Sequence, residues 1–227
     1  MSAEALFPLV LLGALLGLDV VSFPQAMISR PIVAATLGGW VVGSPEQGVL
    51  AGAALELIAL DTLPFGASRY PEWGSAAVVG GALCAMQPGG RAGALTLAVL
   101  GALATAWVGG GSMVLLRRVN AWLARRARAE VDAGSWAAVR ALMLGGIGLD
   151  LLRGAAITVL ALVLFVPVMQ AALGEWTLGQ GVSRAAAVTM LASVAVAASW
   201  KVFHGSKSAR WLFAGGLAGG LLTLALR

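Results

Sequence analysis

Long apolar runs alternate with short polar stretches along the chain, and their lengths differ between the two halves. Ala5 to Val21 is a first candidate membrane span. Arg30-Pro31 then opens an apolar run to Gly43, the turn "GSPEQG" follows, and a second run extends from Val49 to Leu60. Each of these two runs holds about 12 to 13 residues, or about 20 Å of helix at 1.5 Å per residue. That is too short for a hydrocarbon core of about 30 Å. Two short runs joined by a Pro/Gly turn predict a re-entrant hairpin over about 31–60, turning back near Pro45-Glu46. Such a hairpin must be covered by protein, because lipid cannot satisfy its interrupted backbone. Ser75 to Met86, closed by "QPGG", is a third short run.

The second half reads as full spans. Ala92 to Leu116 and Leu151 to Leu173 are long enough to cross, and Ala185 to Trp200 and Trp211 to Leu226 follow. Between the first two lies "RRVNAWLARRARAEVDAG", whose arginines and Trp122 predict an interfacial cytoplasmic helix at the lipid surface. "GEWTLGQG" has one acid and no Lys or Arg, whereas "KVFHGSKSAR" is basic. The order basic, neutral, basic predicts cytoplasmic 117–140 and 201–210, and extracytoplasmic 174–183. The expected organisation is an N-terminal membrane core over 1–116 containing the hairpin, a basic segment over 117–140, and C-terminal spans over 141–227. The fold class is an all-α integral membrane protein. It is a polytopic helical bundle with short broken or re-entrant hairpin helices in its N-terminal half and a scaffold of full spans.

Composition agrees. The chain has 227 residues, 59% of them hydrophobic and 11% charged, against about 25% charged in soluble domains. Glycine, at 31 residues, is frequent, as it is in membrane helices. The sequence pI near 10.7 raises nucleic acid as a partner, but the basic residues sit beside apolar spans, which points to cytoplasmic loops instead. The apolar start is preceded by an acid and no Lys or Arg, which argues against a secretory signal peptide. The single cysteine, Cys84, forms no disulfide within the chain and no multi-cysteine metal site, and its surroundings "GGALCAMQ" read as packing.

Charge at membrane depth changes the picture most. Ionisable groups there mark a cavity, a partner or a solute path. Asp19, Glu56 and Asp61 qualify, with Gln25, Thr36 and Thr62 as neutral helpers. One reading is neutralisation, pairing Arg30 with Asp19, and Arg69 with Asp61 or Glu72. The other is hydrogen bonding to a polar solute. Sugar hydroxyls fit, because carboxylates accept several hydrogen bonds and amides both donate and accept. Trp40 and Trp107, inside apolar runs, are the candidates for stacking on a sugar ring. The other six tryptophans fall near segment ends, as an interfacial belt does.

Catalytic chemistry is thinly represented. His204, the one histidine, sits in a basic loop with no acid or Cys beside it and reads as solvated. No phosphate-cradling Gly-Lys-Ser/Thr motif occurs, and Gly-rich strings such as "VGGGS" read as close helix packing. Nothing in the sequence brings Asp19 and Asp150 together as a protease dyad. The triplet "GLD" at 17–19 and 148–150 is weak ground for a repeat. No catalytic residue, cofactor or metal is expected.

The stretch "SRPIVAATLGGWVVGSPEQGVLAGAALELIALDTLPFGASRYPEWG" resembles the membrane C component (enzyme IIC) of mannose-type sugar phosphotransferase systems. An Arg-Pro opening, "AATLGGWVVG", an acid/Gln-Gly turn and "GAALELIALD…GA" carry the resemblance, which is strongest from about Leu18 to Gly81. It implies a sugar channel made jointly with a D-type membrane subunit, in an oligomer of C–D units in a bacterial plasma membrane. Soluble A and B components carry the phosphoryl group, so this chain needs no phosphoryl-bearing residue. The resemblance carries Glu56, in the matching "LELIAL" stretch, Asp61, Asp19 and Gln25 over as substrate contacts, and Arg30 and Thr36 complete the candidate set. A regulatory or structural protein from an incomplete phosphotransferase system, and a phosphate-independent solute transporter, are the alternatives.

Overall fold

The computed structural model describes residues 3–19, 21–60, 69–203, 205 and 208–225, and among these the secondary structure is entirely helical. Helix α1 covers Ala3–Asp19, α2 Pro31–Val42, α3 Pro45–Ala59 and α4 Trp73–Ala85. After a 3-10 turn at Pro88–Gly90 come α5 (Ala94–Arg126), α6 (Arg128–Asp132), α7 (Trp136–Gly174), α8 (Gln180–Phe203) and α9 (Ala209–Ala225). Segments α5, α7 and Gln180–Trp200 within α8 are long and apolar enough to span a membrane. Leu6–Asp19, α2 and α4 are apolar but shorter.

The two short runs expected to form a hairpin are α2 and α3, packed along each other. Proline starts both helices, at the first position, where its missing N–H costs nothing. Gly43 ends α2 in the left-handed conformation (φ 94°), a backbone state that glycine enters without steric cost. The N–H groups of Gly43 and Ser44 return to the carbonyls of Trp40 (3.0 Å) and Gly39 (2.9 Å), which satisfies orphan carbonyls at the helix end. The reversal therefore falls at Gly43-Ser44, and Pro45-Glu46, where the turn was expected, form the first turn of α3. Small residues let the helices approach: a β carbon added at Gly39 would lie 2.7 Å from the Cα of Gly48.

Helix α4 is the centre of the bundle. All of its 13 residues are buried, and α1, α2, α3, α5 and α7 pack around it. Its sequence "WGSAAVVGGALCA" supplies the small side chains that such enclosure needs. A β carbon at Gly38 of α2 would stand 2.5 Å from the carbonyl oxygen of Val78, and one at Gly81 would overlap the backbone of Ala35. By contrast, α8 meets the body through α3 and through Gln180, whose Nε2 donates to the carbonyl of Gly90 at 2.9 Å, and α9 packs on α8.

The long helices carry the basic stretch. Helix α5, with 33 residues, is about 50 Å long, and α7, with 39, about 58 Å. Residues 117–140 are the end of α5, all of α6, a turn at Gly134, and the start of α7. Ser135 caps α7, its hydroxyl accepting from the N–H of Ala138 at 3.3 Å.

Candidate solute-binding site

The open end of the α2–α3 hairpin is closed by charge. Arg30, just before α2, forms an ion pair through Nη2 with Oε1 of Glu56, in the last turn of α3. The N–H of Ile32 donates to Oε2 of Glu56 at 3.2 Å. One carboxylate thus satisfies an orphan donor at the N-terminus of α2, where the helix dipole also favours negative charge. The Glu56 side chain keeps 17% of its surface exposed and Arg30 46%, so the pair stays partly accessible and retains unused lone pairs and donors.

Asp19 stands beside this pair but does not join it. Only 2% exposed, its carboxylate accepts from the N–H of Ala26 (2.7 Å), the N–H of Ser29 (2.9 Å) and the hydroxyl of Ser29 (2.7 Å). Of the neutralising pairs expected, Arg30 with Asp19 is therefore replaced by Arg30 with Glu56. Three hydrogen bonds from the 26–29 loop backbone and Ser29 engage the Asp19 carboxylate instead. Within that loop Gln25 and Met27 are left-handed (φ 59° and 60°), a conformation that costs a side-chain-bearing residue about 1–2 kcal/mol. Gln25 is exposed and donates to the carbonyl of Val21 (3.1 Å). Thr36 lies one turn into α2, along the seam with α3 at Gly48, and its hydroxyl donates to the carbonyl of Ile32 (2.6 Å). Asp61 and Thr62 lie outside the described residues.

A second buried cluster, unassigned by the sequence reading, lies across the same loop. Arg153 on α7 donates through Nε to Asp150 Oδ1 at 2.8 Å. Its Nη1 reaches the Ser112 hydroxyl on α5 and its Nη2 the Gly17 carbonyl on α1, both at 3.3 Å. The Ser22 hydroxyl donates to the other oxygen of Asp150. Glu72, 2% exposed, caps α4 by accepting from the N–H of Ser75 (3.1 Å), while its Oε2 has no hydrogen-bond partner. The available signal was "GLDLLRG", an acid and an arginine three residues apart, hence neighbours on a helix inside an apolar run. Arg69 meets Trp107, with its guanidinium 5.6 Å from the ring centroid and Nη2 3.3 Å from the carbonyl, rather than Glu72. Trp40 and Trp107 are exposed on the surface of the chain.

Together the clusters form a polar belt. It comprises the end of α1, the loop to α2, the open end of the hairpin, the start of α4, and the facing parts of α5 and α7. Broken helices whose ends gather charges inside an apolar bundle are an arrangement transporters use to handle a polar solute. No group of three or more His, Cys, Asp or Glu suited to a metal occurs among the described residues.

The fold and belt define a polytopic membrane protein of the transporter type. The chain belongs to the family described as "PTS system sorbose-specific IIC component", which it matches over residues 5–223. A curated relative is the "Fructose permease IIC component" of Bacillus subtilis (strain 168), 28% identical over 175 residues. That alignment takes in 77% of this chain but 63% of the relative, so the match covers less than two thirds of the relative's length. Two solved structures share the fold. One, described as "Structure of membrane protein", has a TM-score of 0.74 at 19% identity, covering all of this chain and 92% of that one. The other is the mannose transporter ManYZ in complex with microcin E492, with a TM-score of 0.63 at 18% identity, covering all of this chain and 88% of that one.

Proposed function

We propose that the chain is the sugar-translocating C subunit of a phosphoenolpyruvate-dependent sugar phosphotransferase system in a bacterial plasma membrane. It binds a hexose-like sugar at the polar belt and presents it for phosphorylation by a soluble B component. The observation that carries this reading is the half-open Arg30–Glu56 pair at the broken end of the hairpin. A guanidinium offers five donors and a carboxylate about four acceptor positions. Here Glu56 has one protein partner on each oxygen and Arg30 has Glu56, which leaves capacity for sugar hydroxyls. The family match over residues 5–223 supports the sugar as the solute class.

In this reading the α2–α3 hairpin re-enters the membrane from the belt and turns back at Gly43-Ser44, and residues 117–140 face the cytoplasm. A D-type membrane subunit completes the channel in an oligomer of C–D units, as the ManYZ pair suggests. The phosphoryl group comes from soluble A and B components. Uptake of labelled sugar into membrane vesicles, with and without the A, B and D components, tests the reading. Accumulation of sugar phosphate only with the full set, driven by phosphoenolpyruvate, is expected. Equal uptake by this chain alone contradicts it.

A further inference from the structure

The loop between α1 and α2 has no regular structure, yet its backbone is held in an unfavourable shape. Gln25 and Met27 are both left-handed, and residues with side chains stay so only where their surroundings over-determine them. Such strained positions gather at ligand clamps. Apolar burial does not hold the first part of this loop, because Val21, Phe23 and Met27 are exposed. Polar anchors hold it instead.

Two of these anchors end the repeated "GLD" triplet. At 17–19 it ends in Asp19, which accepts from the N–H groups of Ala26 and Ser29 and from the Ser29 hydroxyl. At 148–150 it ends in Asp150, which accepts from the Ser22 hydroxyl. The two aspartates belong to different helices, α1 and α7, and grip opposite ends of one loop. Among the described residues, the other hydrogen bonds to 21–23 are local. Three N–H groups share the Leu18 carbonyl, and the Gln25 amide donates to Val21. The Asp19 anchor stands next to Arg30, whose own N–H donates to the Met27 carbonyl at 3.2 Å. Asp150 is itself fixed. Its other oxygen accepts from Arg153 Nε, and Arg153 reaches Gly17 on α1 and Ser112 on α5. The Ser22 hydroxyl therefore fastens the loop to a point shared by three helices.

We propose that Asp150, acting through the Ser22 hydroxyl, is a positioning residue for the solute site: it holds the 21–29 loop in the shape that sets Arg30 against Glu56. The solute is the sugar of the function proposed above, on which this inference rests. Asp150 acts at a distance, because its carboxylate is occupied by Ser22 and Arg153. A binding site keeps its affinity only while supporting hydrogen bonds hold its groups within about 0.5 Å of the productive geometry. A loop correctly shaped for part of the time binds in proportion to that fraction.

The test compares purified C–D complexes carrying wild-type, Ser22→Ala or Ser22→Thr subunit. Ser22→Ala removes the loop anchor and leaves the Asp150–Arg153 pair in place. Two quantities are read on the same samples: hydrogen exchange at the amides of 26–30, and equilibrium binding of tritiated D-mannose, D-fructose and D-glucose. In an assembled Ser22→Ala complex, exchange should quicken and affinity for the hexose that binds wild type should fall about tenfold. Ser22→Thr keeps the hydroxyl and should restore both. Wild-type exchange in Ser22→Ala, faster exchange with unchanged affinity, or a Ser22→Thr complex as impaired as Ser22→Ala overturns the proposal. A Ser22→Ala complex that does not assemble also overturns it, since the bond would then be structural. A wild-type complex that binds none of the three hexoses contradicts the functional reading instead, and the exchange rates alone then decide whether Ser22 holds the loop.

Discussion

Arg153 is held to Asp150 at 2.8 Å, one helical turn away on α7, with side chains 8% and 1% exposed. The guanidinium also joins α1 through Gly17 and α5 through Ser112, so one residue ties three helices at the polar belt. Breaking a buried pair by removing one partner leaves an uncompensated charge and costs about 3–5 kcal/mol, whereas replacing both by apolar groups costs less. Asp150→Asn should therefore lower the thermal stability of the purified complex more than Asp150→Leu with Arg153→Met does. A double-mutant cycle on unfolding midpoints reads this. A double variant less stable than either single one would remove the pair as the source of the effect.

Asp19 should act on the loop rather than on the sugar directly. Its three hydrogen bonds hold residues 26–29, and removal of the carboxylate leaves buried donors unsatisfied at about 1–3 kcal/mol each. Asp19→Ala should loosen the loop and speed hydrogen exchange at the amides of Ala26 and Ser29, which lose their acceptor. Exchange at the wild-type rate would show that the loop is held by other contacts.

Packing around α4 leaves no room for a side chain at Gly81, where even a β carbon would overlap the backbone of Ala35. Gly81→Val should force α2 and α4 apart and abolish a stable complex. Gly145→Ala, at a site with nothing within 4 Å of an added β carbon, should be tolerated. Size-exclusion profiles of the two variants compare them, and a monodisperse Gly81→Val complex would contradict this packing.

What the sequence disclosed follows what hydrophobicity and length can encode. The α2–α3 hairpin was readable because two runs of about 20 Å cannot span about 30 Å of hydrocarbon. Its reversal was misplaced slightly, because the left-handed Gly43 rather than the later Pro45 ends α2. The partner of Arg30 was not readable. Asp19 is nearer in sequence than Glu56, 26 residues on, but Asp19 is consumed by its own loop. Nor was the continuity of α5: the helix runs through Arg117 and Arg118 because Leu, Arg and Ala keep high helix propensity as the environment changes from lipid to water. The Asp150–Arg153 pair showed its spacing but not its neighbours, Ser22, Ser112 and Gly17, which only the tertiary fold brings together.

The basic stretch 117–140 sets the expected orientation. In a Cys84→Ser background, a membrane-impermeant thiol reagent added outside intact cells should label Leu178→Cys and spare Trp122→Cys. The reverse pattern would invert the topology.

The Arg30–Glu56 pair is where the account is most exposed to test. Losing a hydrogen bond made by a charged group costs about 1.5–3 kcal/mol, a factor of about ten to 150 in affinity. Glu56→Gln keeps the shape and an acceptor for Ile32 but removes the charge. The deciding measurement is equilibrium binding of the transported sugar to purified C–D complexes carrying wild-type or Glu56→Gln subunit, with assembly checked on the same samples. The account predicts an intact complex whose sugar affinity falls by about that factor. An assembled Glu56→Gln complex that binds sugar as tightly as wild type would place the sugar site elsewhere, and a variant that binds normally but does not assemble would make Glu56 a structural strut.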